Sequence, residues 1–230
     1  MLRLILTKLN KILRDRSPVQ WRDFRSVEPV SRVFGLDRGT PLDRYYMRKF
    51  LSENKQHIQG KLIEIGDDKF SRMFGTNVTS YDVLHVEPSK IATLVGDLTN
   101  VVTLPENFSD CFICTQVFNF IYDFHAAIRG AHFLLKPGGI ILATVGSISP
   151  TSRHDADRWG HFWGFYPQGI ERAFKQVFGE NNVEIKVYGN SLAAAAFIKG
   201  LAFEELTLEE LDFVDEDYPV IVCIKGKKSN

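Results

Sequence analysis

The chain has no net charge: 28 lysines and arginines face 28 aspartates and glutamates. Without a basic field to attract a polyanion, DNA and RNA are not expected partners. Cysteine is scarce, with three in 230 residues. An odd number, two of them inside one apolar run, suits a reducing compartment better than a disulfide framework. Cys111 and Cys114 have C-x-x-C spacing, but residues i and i+3 of a strand point to opposite faces, so the pair is read as core packing. No run is long and apolar enough to span a bilayer, and no secretory signal is recognisable; a cytoplasmic location is expected. The glycine fingerprint G-x-G-x-x-G of dinucleotide sites is also missing, which counts against a nicotinamide dehydrogenase. The length suits one sizeable core, read as an extension over residues 1–58 and one domain over residues 59–230.

What is present is a series of short apolar strands, each running into a polar turn. KLIEIGDDKF, residues 61–70, places Leu62, Ile63 and Ile65 in a strand buried on both faces, and Gly66 lets the backbone approach a ligand. Val78-Thr79-Ser80-Tyr81-Asp82 reads as a second strand closed by a carboxylate. Residues 91–95 followed by Gly96-Asp97-Leu98 form a third, residues 111–117 a fourth and residues 140–145 a fifth, the last preceded by Leu134-Leu135-Lys136-Pro137-Gly138-Gly139. Only about nine residues separate Asp82 from the third strand, fewer than the dozen or so of a parallel crossover, so a helix there is shortened or absent. Further strands are expected over residues 183–188 and 220–225, with a helical region between about 192 and 211.

This series resembles the class I S-adenosylmethionine-dependent methyltransferases: IEIGDD is similar to their first motif, VTSYDVL to the second, GDL to the third and LLKPGGIILATV to their post-helix signature. The resemblance covers roughly residues 61–225. It implies an α/β fold, a Rossmann-like seven-stranded mixed sheet with an N-terminal helical extension, and S-adenosylmethionine as cofactor. It also implies roles. Glu64 and the backbone at Gly66 would face the methionine portion, Asp82 would accept from both ribose hydroxyls, and Asp97 with the Leu98 backbone would hold adenine. Glu87 rivals Asp82 if the second strand runs further. Gln116 lies where a side chain of the fourth strand reaches the transfer site.

Outside these motifs three stretches stand out. Residues 1–14 place Leu2, Ile5, Leu6, Leu9, Ile12 and Leu13 on one helical stripe beside basic residues, suited to a membrane surface, a glycosyltransferase, a second copy of the chain or its own domain. Thr40-Pro41 reads as a helix N-cap and first position. The segment GLDRGTPLDRYYMRKFL, residues 35–51, resembles one found ahead of methyltransferase cores in bacterial glycan assembly, where it would either clamp the extension or cover the site. Residues 147–166 are about twenty residues of loop after the fifth strand, longer than structural connections usually are, and are read as a lid. His154 and His161 are its candidate general bases, and Trp159, Phe162 and Trp163 its candidate stacking surfaces. Asp155 and Asp157 add carboxylates but no helix fixes them for a metal, and none is assigned. The reading is O-methylation of a saccharide or glycan intermediate. Its alternatives are a small phenol, acid or amine as acceptor, or a non-catalytic scaffold.

Overall fold

A computed structural model describes residues 22–230, so the amphipathic stripe of residues 1–14 lies outside the described residues. One sheet of seven strands runs in the order β3-β2-β1-β4-β5-β7-β6. In chain order the strands are β1 (Gly60–Ile65), β2 (Val78–His85), β3 (Leu94–Val95), β4 (Ser109–Thr115), β5 (Leu135–Gly146), β6 (Val183–Tyr188) and β7 (Ile221–Lys227). The first five pair in parallel, and β7 runs antiparallel between β5 and β6. This is the Rossmann-like mixed sheet that the spacing of apolar runs and the family resemblance imply.

Alternation along each strand sorts the core into two layers. Ile63, Phe112, Cys114, Ile141, Val222 and Ile224 face one cluster, while Leu62, Cys111, Ile113, Leu142, Ile221 and Cys223 face the other. Cys111 and Cys114 therefore point to opposite faces, as the period of two requires, and all three cysteines are buried free thiols.

The α-helices are α1 (Leu42–Glu53), α2 (Lys69–Phe74), α3 (Phe124–Leu134), α4 (Arg153–Ala156), α5 (Pro167–Phe178), α6 (Ser191–Lys199) and α7 (Leu208–Asp212). Apolar stripes of α3 and α5 cover the first layer, and those of α1, α6 and α7 cover the second. Each large side chain fully buried this way contributes about 1.5–3 kcal/mol. Asp123 caps α3 by accepting from the Ala126 N–H at 2.9 Å, the signal its sequence carries. For α1 the expected cap is displaced: the helix begins at Leu42 after Pro41, and the Thr40 N–H instead donates to Glu204 at 2.9 Å. No helix joins β2 to β3; residues 86–93 are bends and irregular backbone. The helical region after β6 breaks where Gly200, at φ 78°, ends α6.

The paired tyrosines of residues 45 and 46 are part of this packing. Tyr46 is fully buried, stacks on Tyr188 at 5.6 Å and donates to the Leu211 carbonyl at 3.1 Å. Tyr45 and Lys49 both reach Asp212, at 2.7 Å and 2.6 Å. Among the described residues no helix is long and apolar enough to cross a membrane.

Candidate active site

The carboxyl ends of the parallel strands open into a cavity of about 1020 Å³, where ligands of such sheets sit. Its floor is the turn after β1. Gly66 has φ +86°, and a Cβ built there meets nothing within 4 Å, so the backbone lies bare to the cavity. Glu64 lies beneath it, 2 % exposed. Its carboxylate accepts from the Phe70 N–H at 3.2 Å and the Ser71 N–H at 2.7 Å, holding the start of α2. Burial pushes its pKa above the ordinary carboxylate value, against the hydrogen bonds from Ser71 and Phe70. Glu64 thus reaches the cavity as a group already holding two donors, and fixes the glycine turn from behind.

Asp97 and Leu98, just past β3, line the same cavity. One Asp97 oxygen accepts from the Thr99 N–H at 2.8 Å and the Thr99 hydroxyl at 2.9 Å, which pins the turn. From behind, α3 presses so close that a Cβ at Gly130 would lie 2.8 Å from the Leu98 carbonyl carbon.

Gln116 follows β4 with φ +54°, a left-handed conformation rarely adopted by a side chain of its length and frequent at functional sites. Its backbone N–H donates to Thr144 at 2.8 Å. Its terminal amide nitrogen is buried with no hydrogen-bond partner among the described residues. Because Gln116 also lines the cavity, an orphaned donor stands where a ligand acceptor would satisfy it.

Asp82 is not brought to this cavity. The strand runs on to His85, leaving Asp82 level with Ile63 of β1, and the residues of β2 and beyond that line the cavity are Leu84, His85 and Val86. Asp82 is consumed locally: it accepts from the Thr93 hydroxyl at 3.0 Å and the Ser80 hydroxyl at 3.3 Å, with the Lys61 ammonium at 3.9 Å. The segment that replaces the crossover helix supplies Thr93. Glu87 is exposed, two residues past the strand end and adjacent to Val86.

The lid closes the other side. Asn119 bolts it to β5: its side-chain amide donates to the carbonyls of Gly146 at 3.1 Å and Trp163 at 2.7 Å, and accepts from the Gly146 N–H at 3.1 Å. Its own carbonyl accepts from the N–H groups of Phe162 and Trp163. Sequence reasoning passed over this asparagine; the only hint was a polar residue amid Phe118 and Phe120. Trp163 is a second bolt, its indole N–H donating to Ile121 and Tyr122 carbonyls at 3.1 Å each, so it is not the free stacking surface expected. Trp159 and Phe162 do line the cavity, with Trp159 edge-on to His85 at 6.1 Å.

The two lid histidines differ. His161 accepts at Nδ1 from the Ser152 N–H at 3.2 Å, and burial holds its pKa below the ordinary imidazole value despite Asp155. A neutral ring that accepts at Nδ1 carries its proton on Nε2, which makes it a donor rather than the base expected. His154 is largely exposed and its Nδ1 lies 3.4 Å from Asp155.

The roof is the strap of residues 30–41. Val30 donates to Lys199 at 2.8 Å and Phe203 to Thr40 at 2.9 Å, and Arg38 pairs with Glu205. Gly35, at φ +83°, sits where a Cβ would lie 2.9 Å from the Leu201 and Ala202 backbone. So anchored, the strap and the start of α1 deliver Phe34, Leu36, Asp43 and Arg44 to the cavity. Residues 35–51 therefore both clamp and cover. No group of three or more His, Cys, Asp or Glu able to hold a metal occurs among the described residues.

Comparison with known proteins agrees with this architecture. Residues 59–143 match a family described as a methyltransferase domain. A solved SAM-dependent methyltransferase from Archaeoglobus fulgidus is similar over 80% of this chain and 94% of its own, at 12% identity and TM-score 0.51. The N-methyltransferase NodS from Bradyrhizobium japonicum, solved with S-adenosyl-l-homocysteine, is similar over 97% and 98%, at 14% identity and TM-score 0.50. The [4+2]-cyclase SpnF aligns over 89% and 87%, at 12% identity and TM-score 0.53. Such identities speak for the fold alone. A search of curated proteins returns no match.

Proposed function

We propose that this S-adenosylmethionine-dependent methyltransferase transfers its methyl group to an oxygen of a saccharide or glycan intermediate. When bound, the cofactor supplies an electrophilic methyl on a sulfonium sulfur. The residues present fit it: a bare glycine turn, a rim carboxylate at Asp97 and the orphaned amide of Gln116 provide a close backbone approach, an acceptor and a donor. Asp97 and the Leu98 backbone hold the adenine. Glu87 does not itself line the cavity, but it follows the lining residue Val86 and is free of the contacts that occupy Asp82, so the ribose role is assigned to it. Gln116 orients a polar atom at the transfer end.

The observation that carries the acceptor reading is the aromatic mouth. Tyr122, Phe162 and Trp159 line the cavity while remaining 71%, 46% and 38% exposed. Such open aromatic faces at a cleft suit the apolar C–H face of a sugar ring, with hydroxyl groups left at the edges for polar contacts. His154 is the base, taking the acceptor hydroxyl proton while Asp155 steadies its ring. His161 donates from Nε2 instead. Alignment of the two reactants beneath roof and lid supplies the larger part of the rate.

Radiolabelled methyl donor offered with a panel of saccharides, nucleotide sugars, phenols and amines tests this. Expected is a labelled sugar methyl ether whose formation falls about 100-fold or more in His154→Ala, with calorimetric affinity for S-adenosylhomocysteine unchanged. Label appearing only in a phenol or amine would sink the saccharide reading, and full turnover in His154→Ala would remove the base.

A further inference from the structure

We propose that the mouth of the cavity clamps a phosphoryl group of the acceptor between Arg44 and Arg153. The clamp deepens the saccharide reading and rests on it for the identity of the rest of the acceptor. Arg44 comes from the first turn of α1, behind the roof strap, and Arg153 opens the lid helix α4. Both line the one cavity and both are exposed.

The clamp follows from which polar groups lining the cavity already have partners and which have none. Asp97 accepts from Thr99, Glu64 from Phe70 and Ser71, Asp67 pairs with Lys69 at 2.7 Å, and Asp155 accepts from the Ser152 hydroxyl at 2.6 Å. On the cationic side Arg32 pairs with Glu28. Neither Arg44 nor Arg153 has a carboxylate within 4 Å among the described residues. Asp43 is the one cavity carboxylate left over. Burial shifts its pKa upward, towards the neutral acid, against the neighbouring Arg44.

Two exposed arginines on separate elements thus line one cleft. A neutral sugar would leave both unused. A phosphoryl group carries up to two charges and three oxygens, enough to accept from a planar fork on each side, whereas a carboxylate brings one charge to match two guanidiniums. The class is therefore a phosphate ester or diphosphate, as in an activated sugar, with its saccharide end on the aromatic mouth.

Calorimetric titration of pyrophosphate into the full chain saturated with S-adenosylhomocysteine tests the clamp, with glucuronate titrated in parallel. Pyrophosphate is expected to bind, to weaken as salt is raised, and to lose about tenfold in affinity in Arg44→Gln and in Arg153→Gln. Arg44→Lys and Arg153→Lys should recover part of that loss, and S-adenosylhomocysteine affinity should not change in any of the four. No pyrophosphate binding to the parent chain, unchanged affinity in both Gln variants, or tighter binding of glucuronate would overturn the clamp. Turnover separates it from the reading it rests on. Equal kcat/KM for a sugar and its phosphorylated form sinks the clamp alone. Methylation of a phosphorylated non-sugar, with KM raised by either Gln variant, leaves the clamp and sinks the saccharide.

Discussion

Gly130→Ala is the sharpest test of how the Asp97–Leu98 side of the cavity, proposed above to hold adenine, is built. Gly130 lies in α3, where alanine is the better helix former by about 1 kcal/mol, so propensity alone predicts stabilisation. The new Cβ, however, would sit 2.8 Å from the Leu98 carbonyl carbon and closer still to its oxygen. Carbon atoms in ordinary contact stay about 3.5–4.0 Å apart, so the turn of residues 96–99 must retreat by about 1 Å. Over-packing of this kind costs about 1–3 kcal/mol, leaving a net loss of about 0–2 kcal/mol in folding. Cofactor affinity should suffer more, because Asp97 and the Leu98 backbone move together, and one displaced hydrogen bond to a charged group is worth about 1.5–3 kcal/mol, about tenfold or more in Kd. Gly169→Ala is the matched control: it lies in α5, and its Cβ meets nothing within 4 Å. Thermal melts and calorimetry with S-adenosylhomocysteine should show Gly169→Ala slightly stabilised with parental affinity, and Gly130→Ala weakened chiefly in affinity. If the two variants melt and bind alike, α3 does not brace the Leu98 turn.

Two further outcomes are expected. Glu87→Ala should weaken S-adenosylhomocysteine about tenfold or more with little change in melting, while Asp82→Ala should keep its affinity and lose about 1–2 kcal/mol of stability as the Thr93 and Ser80 hydroxyls lose their acceptor; the opposite pattern would return the ribose to Asp82. Burial, aided by lysines near His57 and His132, holds the imidazoles of His57, His132 and His161 below their ordinary value of 6.5. On acidification the unfolded chain takes up those protons first. The contribution is therefore complete above about pH 6.5 and is lost as pH falls through the lower folded values. Asp43 and Glu64, whose pKa values are raised, titrate with the opposite sign, so the histidine part is read by difference. Between about pH 7.5 and 5.5 the urea midpoint of the parent should fall further than that of a triple His→Gln variant, and parallel curves would refute it.

The sheet was legible because its signals are local. A strand buried on both faces must be apolar throughout, so the runs near residues 62, 111 and 140 announce themselves, and the period of two alone separates Cys111 from Cys114. The short link between β2 and β3 could be counted. Turns after β1 and β3 also reveal themselves, since Gly66 and Gly96-Asp97 end apolar runs. Asp82 misled for the same local reason: a carboxylate after an apolar run reads as a strand end, and only Thr93, from the link beyond, makes it tolerable inside the sheet.

The sequence by itself determined the order of the strands, the alternation that splits the core into two layers and the rim at which a ligand is met, because hydrophobic period and turn chemistry are written within each segment. The helices were only partly legible, since Lys69–Phe74, Arg153–Ala156 and Pro167–Phe178 were not among those expected. Tertiary structure alone decided which side chains reach that rim. Ser152 sets the His161 tautomer across nine residues of lid, Asn119 fastens the lid to β5 from 27 residues away, and Glu204 and Glu205 hold the roof strap from the far end of the chain. Each depends on a partner that no local pattern specifies, since a hydrogen bond between distant segments is fixed by where the sheet places both ends.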